Sequence, residues 1–138
     1  MTVRRNILIL EPDRYSPDAM KTYRSLGRVA IWPDIPARDR GRALATADIL
    51  VVRLGYRIDA SWLDRMPRLC LIATPTTGLT HIDMHVAKKR NVAVISLRGA
   101  DVLGNVSSTA EETVGLILCL ARNLPWAFED VKKGRWNR

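Results

Sequence analysis

No two glycines in this sequence stand in G-x-G spacing, and none opens a G-x-x-x-x-G-K-[ST] loop. A backbone that cradles a phosphate or pyrophosphate needs such glycines to approach it closely, so nucleotide binding through a glycine-rich turn is disfavoured. Cysteine is scarce as well. Cys70 and Cys119 sit in apolar stretches with no CxxC pair and no neighbouring histidine pair, which argues against a disulfide framework or a zinc site. His81 and His85 are four apart, but no glutamate follows His81 as in H-E-x-x-H, and His81 precedes an expected helix cap, so no metal site is expected. The longest apolar run, Val114 to Ala121, contains a glycine and is far shorter than the ~20 residues that span a bilayer. Met1-Thr2-Val3-Arg4-Arg5 leads into a polar-flanked strand rather than a signal-peptide core. The expectation is a cytoplasmic protein with no membrane partner.

What is present is the composition of a globular domain: 47% hydrophobic and 26% charged residues over 138 positions. The net charge of +8 could attract anions. Yet the bases are scattered, and the densest cluster, Arg38-Asp39-Arg40-Gly41-Arg42, contains an acid. Aromatic residues do not interleave with bases as a stacking platform requires, so no specific nucleic-acid partner is expected.

Asn6-Ile7-Leu8-Ile9-Leu10 is a continuous apolar run ended by Glu11-Pro12-Asp13, the pattern of a parallel strand covered on both faces. It recurs at Arg28–Trp32, Ile49–Val52, Leu69–Ala73 and Val92–Ile95, each separated by a helix-compatible segment. Ser16-Pro17 offers an N-cap with proline at the first helical position, and Gly27 a stop. Asp83 can cap a further helix that ends in Lys88, Lys89 and Arg90. Ser108-Thr109-Ala110-Glu111 matches the S-x-x-E capping box at the start of a last, long apolar helix. From Val114 to Ala121 that helix has no polar face and must be surrounded by protein. Alternation of this kind predicts an α/β fold with a doubly wound, five-stranded parallel sheet. The runs alone allow two strand orders; the flavodoxin-like 2-1-3-4-5, the common outcome for one compact domain, is the one expected.

Ligands of such sheets sit beyond the carboxyl ends of the strands, which nominates Glu11–Asp13, Arg53–Tyr56, Thr74–Thr80 and Ser96–Asn105. A phosphoacceptor receiver domain shares the expected fold, and Glu11 with Asp13 resembles its acidic pair. Arg53, however, stands where the phosphorylated aspartate is needed, and a guanidinium is neither nucleophile nor cation ligand. Arg53 can offer paired donors to a carboxylate or phosphate, or else form a surface ion pair. Thr74-Pro75-Thr76-Thr77-Gly78-Leu79-Thr80 can present N–H groups and hydroxyls to an oxyanion, or else form a turn whose threonines satisfy their own backbone.

Three stretches, in order and spacing, carry a resemblance: Val51-Val52-Arg53; Leu69 through Thr76-Thr77-Gly78-Leu79-Thr80-His81-Ile82-Asp83 to Val92-Ala93-Val94-Ile95; and Asn105-Val106-Ser107-Ser108-Thr109-Ala110-Glu111-Glu112 running to Leu124-Pro125. In these the chain resembles the D-isomer-specific 2-hydroxyacid dehydrogenases, in their phosphoglycerate dehydrogenase-like form. The trailing Val131-Lys132-Lys133-Gly134-Arg135-Trp136 resembles the segment just before the family's cofactor domain. The resemblance implies a substrate-binding domain over residues 1–96, then an interdomain loop and the first helical segment of an NAD-binding domain over 97–138.

By the same resemblance Thr76, Thr77 and Gly78 hold a substrate carboxylate through backbone N–H groups, Arg53 contacts substrate anions, and Asn105 lies at the active-site cleft. The implied substrate is a small anionic 2-hydroxy or 2-keto acid, and the cofactor of the complete enzyme is NAD or NADP, with none expected to bind this chain tightly. A homodimer through Val114, Leu116, Ile117, Leu118 and Leu120 is implied too. The family's catalytic histidine, its carboxylate partner and its arginine have no counterpart here, so the chain alone is expected to be an inactive, truncated part. Departures from the pattern are Thr76 and Thr80 in place of a glycine and an aspartate, Glu112 where histidine is frequent, and Leu54-Gly55 after Arg53. The rival expectation is a stand-alone binding or dimerisation module without the cofactor half. A second rival, a basic nucleic-acid binder, predicts strongly salt-dependent association.

Overall fold

The computed structural model describes residues 4–13 and 15–136, without the side chains of Val102 and Asn105. Two compact units are present, Met1–Gly99 and Ala100–Arg138. In the first, β1 (Arg5–Ile9), α1 (Pro17–Leu26), β2 (Gly27–Ile31), α2 (Ala37–Thr46), β3 (Ile49–Val51), α3 (Ala60–Asp64), β4 (Leu71–Ala73), α4 (Met84–Lys89) and β5 (Ala93–Ile95) follow one another. The strands form one parallel sheet in the order β2-β1-β3-β4-β5, the flavodoxin-like order expected of one compact domain.

Strand pairing runs slightly past these bounds. Leu10 N–H donates to the Val51 carbonyl at 3.0 Å and Val52 N–H to the Ala73 carbonyl at 3.1 Å, so the apolar runs end where the ladder does. Alternate residues face opposite layers. Leu8, Leu10, Leu50, Val52 and Ile72 join Leu44, Ile58, Leu63, Met66, Ile82 and Ala87 in one core, while Ile7, Ile9 and Val51 pack with Met20 and Tyr23 of α1 on the other face. Coverage of both faces explains why these strands read as unbroken apolar runs.

Ser16 caps α1 as expected, its Oγ accepting from Ala19 N–H at 3.1 Å. Asp83 likewise caps α4 through Val86 N–H at 3.0 Å. Gly27 does stop α1, but not in a left-handed turn: its φ of −174° is extended, and it opens β2 directly. A Cβ there would lie 2.2 Å from the Arg5 carbonyl oxygen, so only glycine lets β2 close on β1 at that rung. The second strand therefore starts one residue early, and Trp32 begins a 3-10 turn instead of ending the strand.

The second unit holds a 3-10 turn at Asp101–Asn105, then α5 (Ser108–Ala121) and α6 (Leu124–Lys132), with Asn123 left-handed between the two helices (φ 51°). The last helix is thus not a long one; it has 14 residues and breaks before Asn123. The capping box does not form either. Ser107, not Ser108, is the N-cap; its dihedrals are already helical, and its hydroxyl bonds the Glu111 carboxylate at 2.5 Å instead of a backbone N–H. Val114, Leu116, Ile117, Leu118 and Leu120 are all more than half exposed. Among the described residues no helix is long and apolar enough to cross a membrane.

Candidate functional site

The carboxyl edge of the sheet is organised by one acid. Glu11, the first residue after the β1 ladder, reaches the turn that leaves β3. Its Oε2 accepts from Arg53 N–H at 2.7 Å and its Oε1 from Gly55 N–H at 2.8 Å. An ionised carboxylate has acceptors only, so two amides and two oxygens match. Gly55 is required by this arrangement: a Cβ there would stand 2.7 Å from Glu11 Oε1. The acid of the receiver-like pair is therefore a backbone clamp, and among the described residues no group of three or more His, Cys, Asp or Glu could hold a metal ion.

Arg53, with its backbone fixed by Glu11, sends Nη1 to the Asp13 carbonyl at 2.9 Å. Among the described residues it forms no ion pair with a carboxylate, which removes the surface-pair alternative for it. Arg53 lines a cleft of about 400 Å³ together with Asp13, Tyr15, Ser16, Ala19 and Pro75. The Tyr15 hydroxyl is buried without a hydrogen-bond partner among the described residues, and its ring stacks edge-on against Tyr23 at 5.7 Å. Burial, and then Tyr23 beside it, push the Tyr15 phenol well above its ordinary value, so it stays neutral. Sequence reasoning missed Tyr15 and the clamp formed by Glu11, since no local spacing ties either to residue 53.

Beyond β4 the chain enters the threonine loop. Thr74 is buried, Thr76 half-buried, and Thr77, Gly78 and Thr80 are exposed. Thr76 Oγ1 donates to the Gly78 carbonyl at 2.8 Å and meets Thr74 Oγ1 at 2.9 Å. The Thr76 hydroxyl thus does satisfy the loop's own backbone, but the amides find no such partner: among the described residues, Thr76, Thr77 and Gly78 N–H donate to no protein acceptor. His81 closes the loop, with Nε2 at 3.3 Å from Thr74 Oγ1. Desolvation of this buried ring lowers its pKa below the usual histidine value, against the opposing charge of Glu11.

The structure therefore brings Arg53 and Pro75 to one cleft, with Thr76, Thr77 and Gly78 directly following Pro75 on the same sheet edge. The backbone of Asn105 ends the 3-10 turn of the second unit, and its side chain lies outside the described residues.

Comparison with known proteins gives this edge a family. The model of the D-isomer specific 2-hydroxyacid dehydrogenase catalytic domain matches residues 7–114, which includes both the Arg53 turn and the threonine loop. The chain belongs to this family. It is 30% identical over 132 residues to the D-3-phosphoglycerate dehydrogenase of Methanocaldococcus jannaschii, covering 96% of this chain and 24% of that protein. It is 32% identical over 89 residues to the human D-3-phosphoglycerate dehydrogenase, covering 64% of this chain and 16% of that one. Among solved structures, a D-lactate dehydrogenase from Aquifex aeolicus complexed with NAD and lactic acid superposes with a TM-score of 0.78 at 25% identity, over 96% of this chain and 38% of that one. The chain spans about a quarter of the length of the curated relatives it matches.

In this 2-hydroxyacid dehydrogenase family member, four turns at the carboxyl edge of the sheet do not fit a dinucleotide's phosphates. The turns that follow β1, β3, β4 and β5 begin with Glu11-Pro12, Val52-Arg53, Thr74-Pro75 and Ser96-Leu97, none of them a glycine-rich phosphate turn into a helix.

Proposed function

We propose that this chain supplies the substrate-binding side of an NAD- or NADP-dependent oxidoreductase that interconverts a small 2-hydroxy acid and its 2-keto acid in the cytoplasm. The observation that carries the reading is the set of amides at Thr76, Thr77 and Gly78, which have no protein acceptor among the described residues, at the sheet edge where Arg53 holds an uncompensated cation. A carboxylate needs such a set: several N–H donors on one side and a positive charge nearby. Residues 1–96 form the substrate domain in this reading, and 97–138 the interdomain loop, with Asn105, and the first helices of a cofactor domain. Val114, Leu116, Ile117, Leu118 and Leu120, more than half exposed, pair with a second copy. That apolar face also supports the rival reading of a dimerisation module.

The test is titration of the chain with glyoxylate, followed by amide resonances. Shifts at Thr76, Thr77 and Gly78, weakened by Arg53→Ala about tenfold, are expected, since a charge-assisted contact is lost. Undisturbed loop amides refute the reading. With NADH and a panel of 2-keto acids the chain alone should transfer no hydride, and turnover above background would overturn that part. In a complete enzyme, Arg53→Ala should raise KM.

A further inference from the structure

The threonine loop is tied at its base by a chain of hydrogen bonds with only one consistent direction. Thr76 Oγ1 donates its single proton to the Gly78 carbonyl at 2.8 Å. Its 2.9 Å contact with Thr74 Oγ1 is therefore one it accepts, which uses the Thr74 proton. Thr74 Oγ1 can then only accept from His81, so the ring carries hydrogen on Nε2, 3.3 Å away. Nδ1, buried and with no hydrogen-bond partner among the described residues, is left as a bare lone pair.

A proton at Nδ1 would be a buried donor with no acceptor, which disfavours both the other tautomer and the imidazolium. The negative charge of Glu11 pulls the other way, and the desolvation of the ring outweighs it. The backbone of His81 is held separately. Its carbonyl accepts from Ile58 N–H at 2.8 Å, Asp83 N–H donates to the Ile58 carbonyl at 2.8 Å, and Ile58 pairs with Ile82 as an isolated bridge. What the ring adds is thus not the course of the chain but the link from one end of the loop to the other.

We infer that His81, as the neutral Nε2–H tautomer, is a positioning residue for the carboxylate-binding loop: acting through Thr74 and Thr76, it holds Thr76, Thr77 and Gly78 in one arrangement. The inference rests on the loop's proposed role. It assigns His81 no contact with substrate and no proton transfer.

Three measurements on the 138-residue chain decide it. Long-range proton–nitrogen spectra of the histidine rings, with His81→Phe removed to assign them, should show His81 protonated at Nε2 and bare at Nδ1; the opposite pattern overturns the relay. Backbone amide order parameters at residues 76–78 should fall from the rigid range of about 0.85 toward about 0.6 in His81→Phe and return toward the parent in His81→Gln, whose side-chain N–H can replace Nε2–H as donor. Unchanged order parameters in His81→Phe, or no recovery in His81→Gln, refute positioning. Glyoxylate affinity should follow the same order across the three proteins. If glyoxylate moves no loop amide of the parent chain, the carboxylate reading falls, while the spectra and order parameters still judge the relay.

Discussion

Replacing Glu11 by glutamine should damage this protein more than a neutral, isosteric change on a half-exposed residue ordinarily does. In the parent, Oε2 and Oε1 each accept a backbone N–H, from Arg53 at 2.7 Å and Gly55 at 2.8 Å. Hydrogen bonds to a charged acceptor contribute ~1.5–3 kcal/mol each, so the pair has an upper bound of ~3–6 kcal/mol. Gly55 is exposed, and its amide can turn to water once released. Glutamine keeps one acceptor but aims an NH₂ donor at the other N–H, so a loss of about 2 kcal/mol is expected. Urea unfolding followed by near-ultraviolet dichroism of the Trp32, Tyr56 and Trp62 cluster measures it. Gly55→Ala supplies the internal control. Its Cβ would press on Glu11 Oε1 from 2.7 Å, so the substitution should cost clearly more in the parent than in a Glu11→Ala background. A Glu11→Gln protein within about 0.5 kcal/mol of the parent, the range of an ordinary surface change, together with an additive double-mutant cycle, would refute the clamp.

Gly27→Ala should destabilise the first unit by about 3 kcal/mol, since its Cβ would lie 2.2 Å from the Arg5 carbonyl and a backbone rung has no rotamer to yield; a small shift in the urea midpoint would contradict this. Asp48, 3% exposed, accepts from Asn6 N–H at 2.8 Å and from Arg68 at 3.1 Å. Burial alone would raise its pKa, but the Asn6 N–H and Arg68 outweigh it and hold the carboxyl below the usual aspartate range. The folded state therefore binds fewer protons than the unfolded one. The contribution is complete above the unfolded value of about 3.9 and is lost as pH falls through the folded one. Urea midpoints taken down through this window should fall more steeply for the parent than for Asp48→Asn.

The fold was legible because burial on both faces removes alternation from the strands, leaving Ile7–Leu10, Ile49–Val52 and Ile72–Ala73 as apolar runs whose ends coincide with ladder hydrogen bonds. Ser16 and Asp83 were legible as caps for the same local reason: donor and acceptor are three residues apart. The capping box failed because the dihedrals of Ser107 extend the helical conformation one residue upstream and draw Glu111 to its hydroxyl. At the site, Arg53 and the threonine loop stood out as polar residues after buried strands. Glu11 stood out only as half of an acidic pair and not as a clamp, since the amides it binds lie 42 and 44 residues away. The Tyr15 hydroxyl, the His81 relay and the Asp48–Arg68 pair are likewise products of tertiary packing, with no spacing that announces them.

The contrast between Asp48 and Glu11 bears on why the proposed anion site lies at the carboxyl edge. Both acids bind main-chain amides between neighbouring strands, Asp48 at the amino edge and Glu11 at the carboxyl edge. At the amino edge a guanidinium completes the pair, because Arg68 lies over Asp48 and the two charges cancel. At the carboxyl edge the nearby guanidinium belongs to Arg53, whose own N–H is one of the two amides that Glu11 holds. With both carboxylate oxygens bonded to backbone, the Arg53 side chain turns to a carbonyl, that of Asp13, which accepts a hydrogen bond without carrying a full charge. Four of its five N–H donors remain beyond that bond, and Arg53 lines a cleft with Asp13, whose carboxylate forms no ion pair with it. On the proposed function, a carboxylate arriving there meets a cation that the fold has positioned and paired with no carboxylate, so the clamp that stabilises the β3 turn also leaves that charge for the anion.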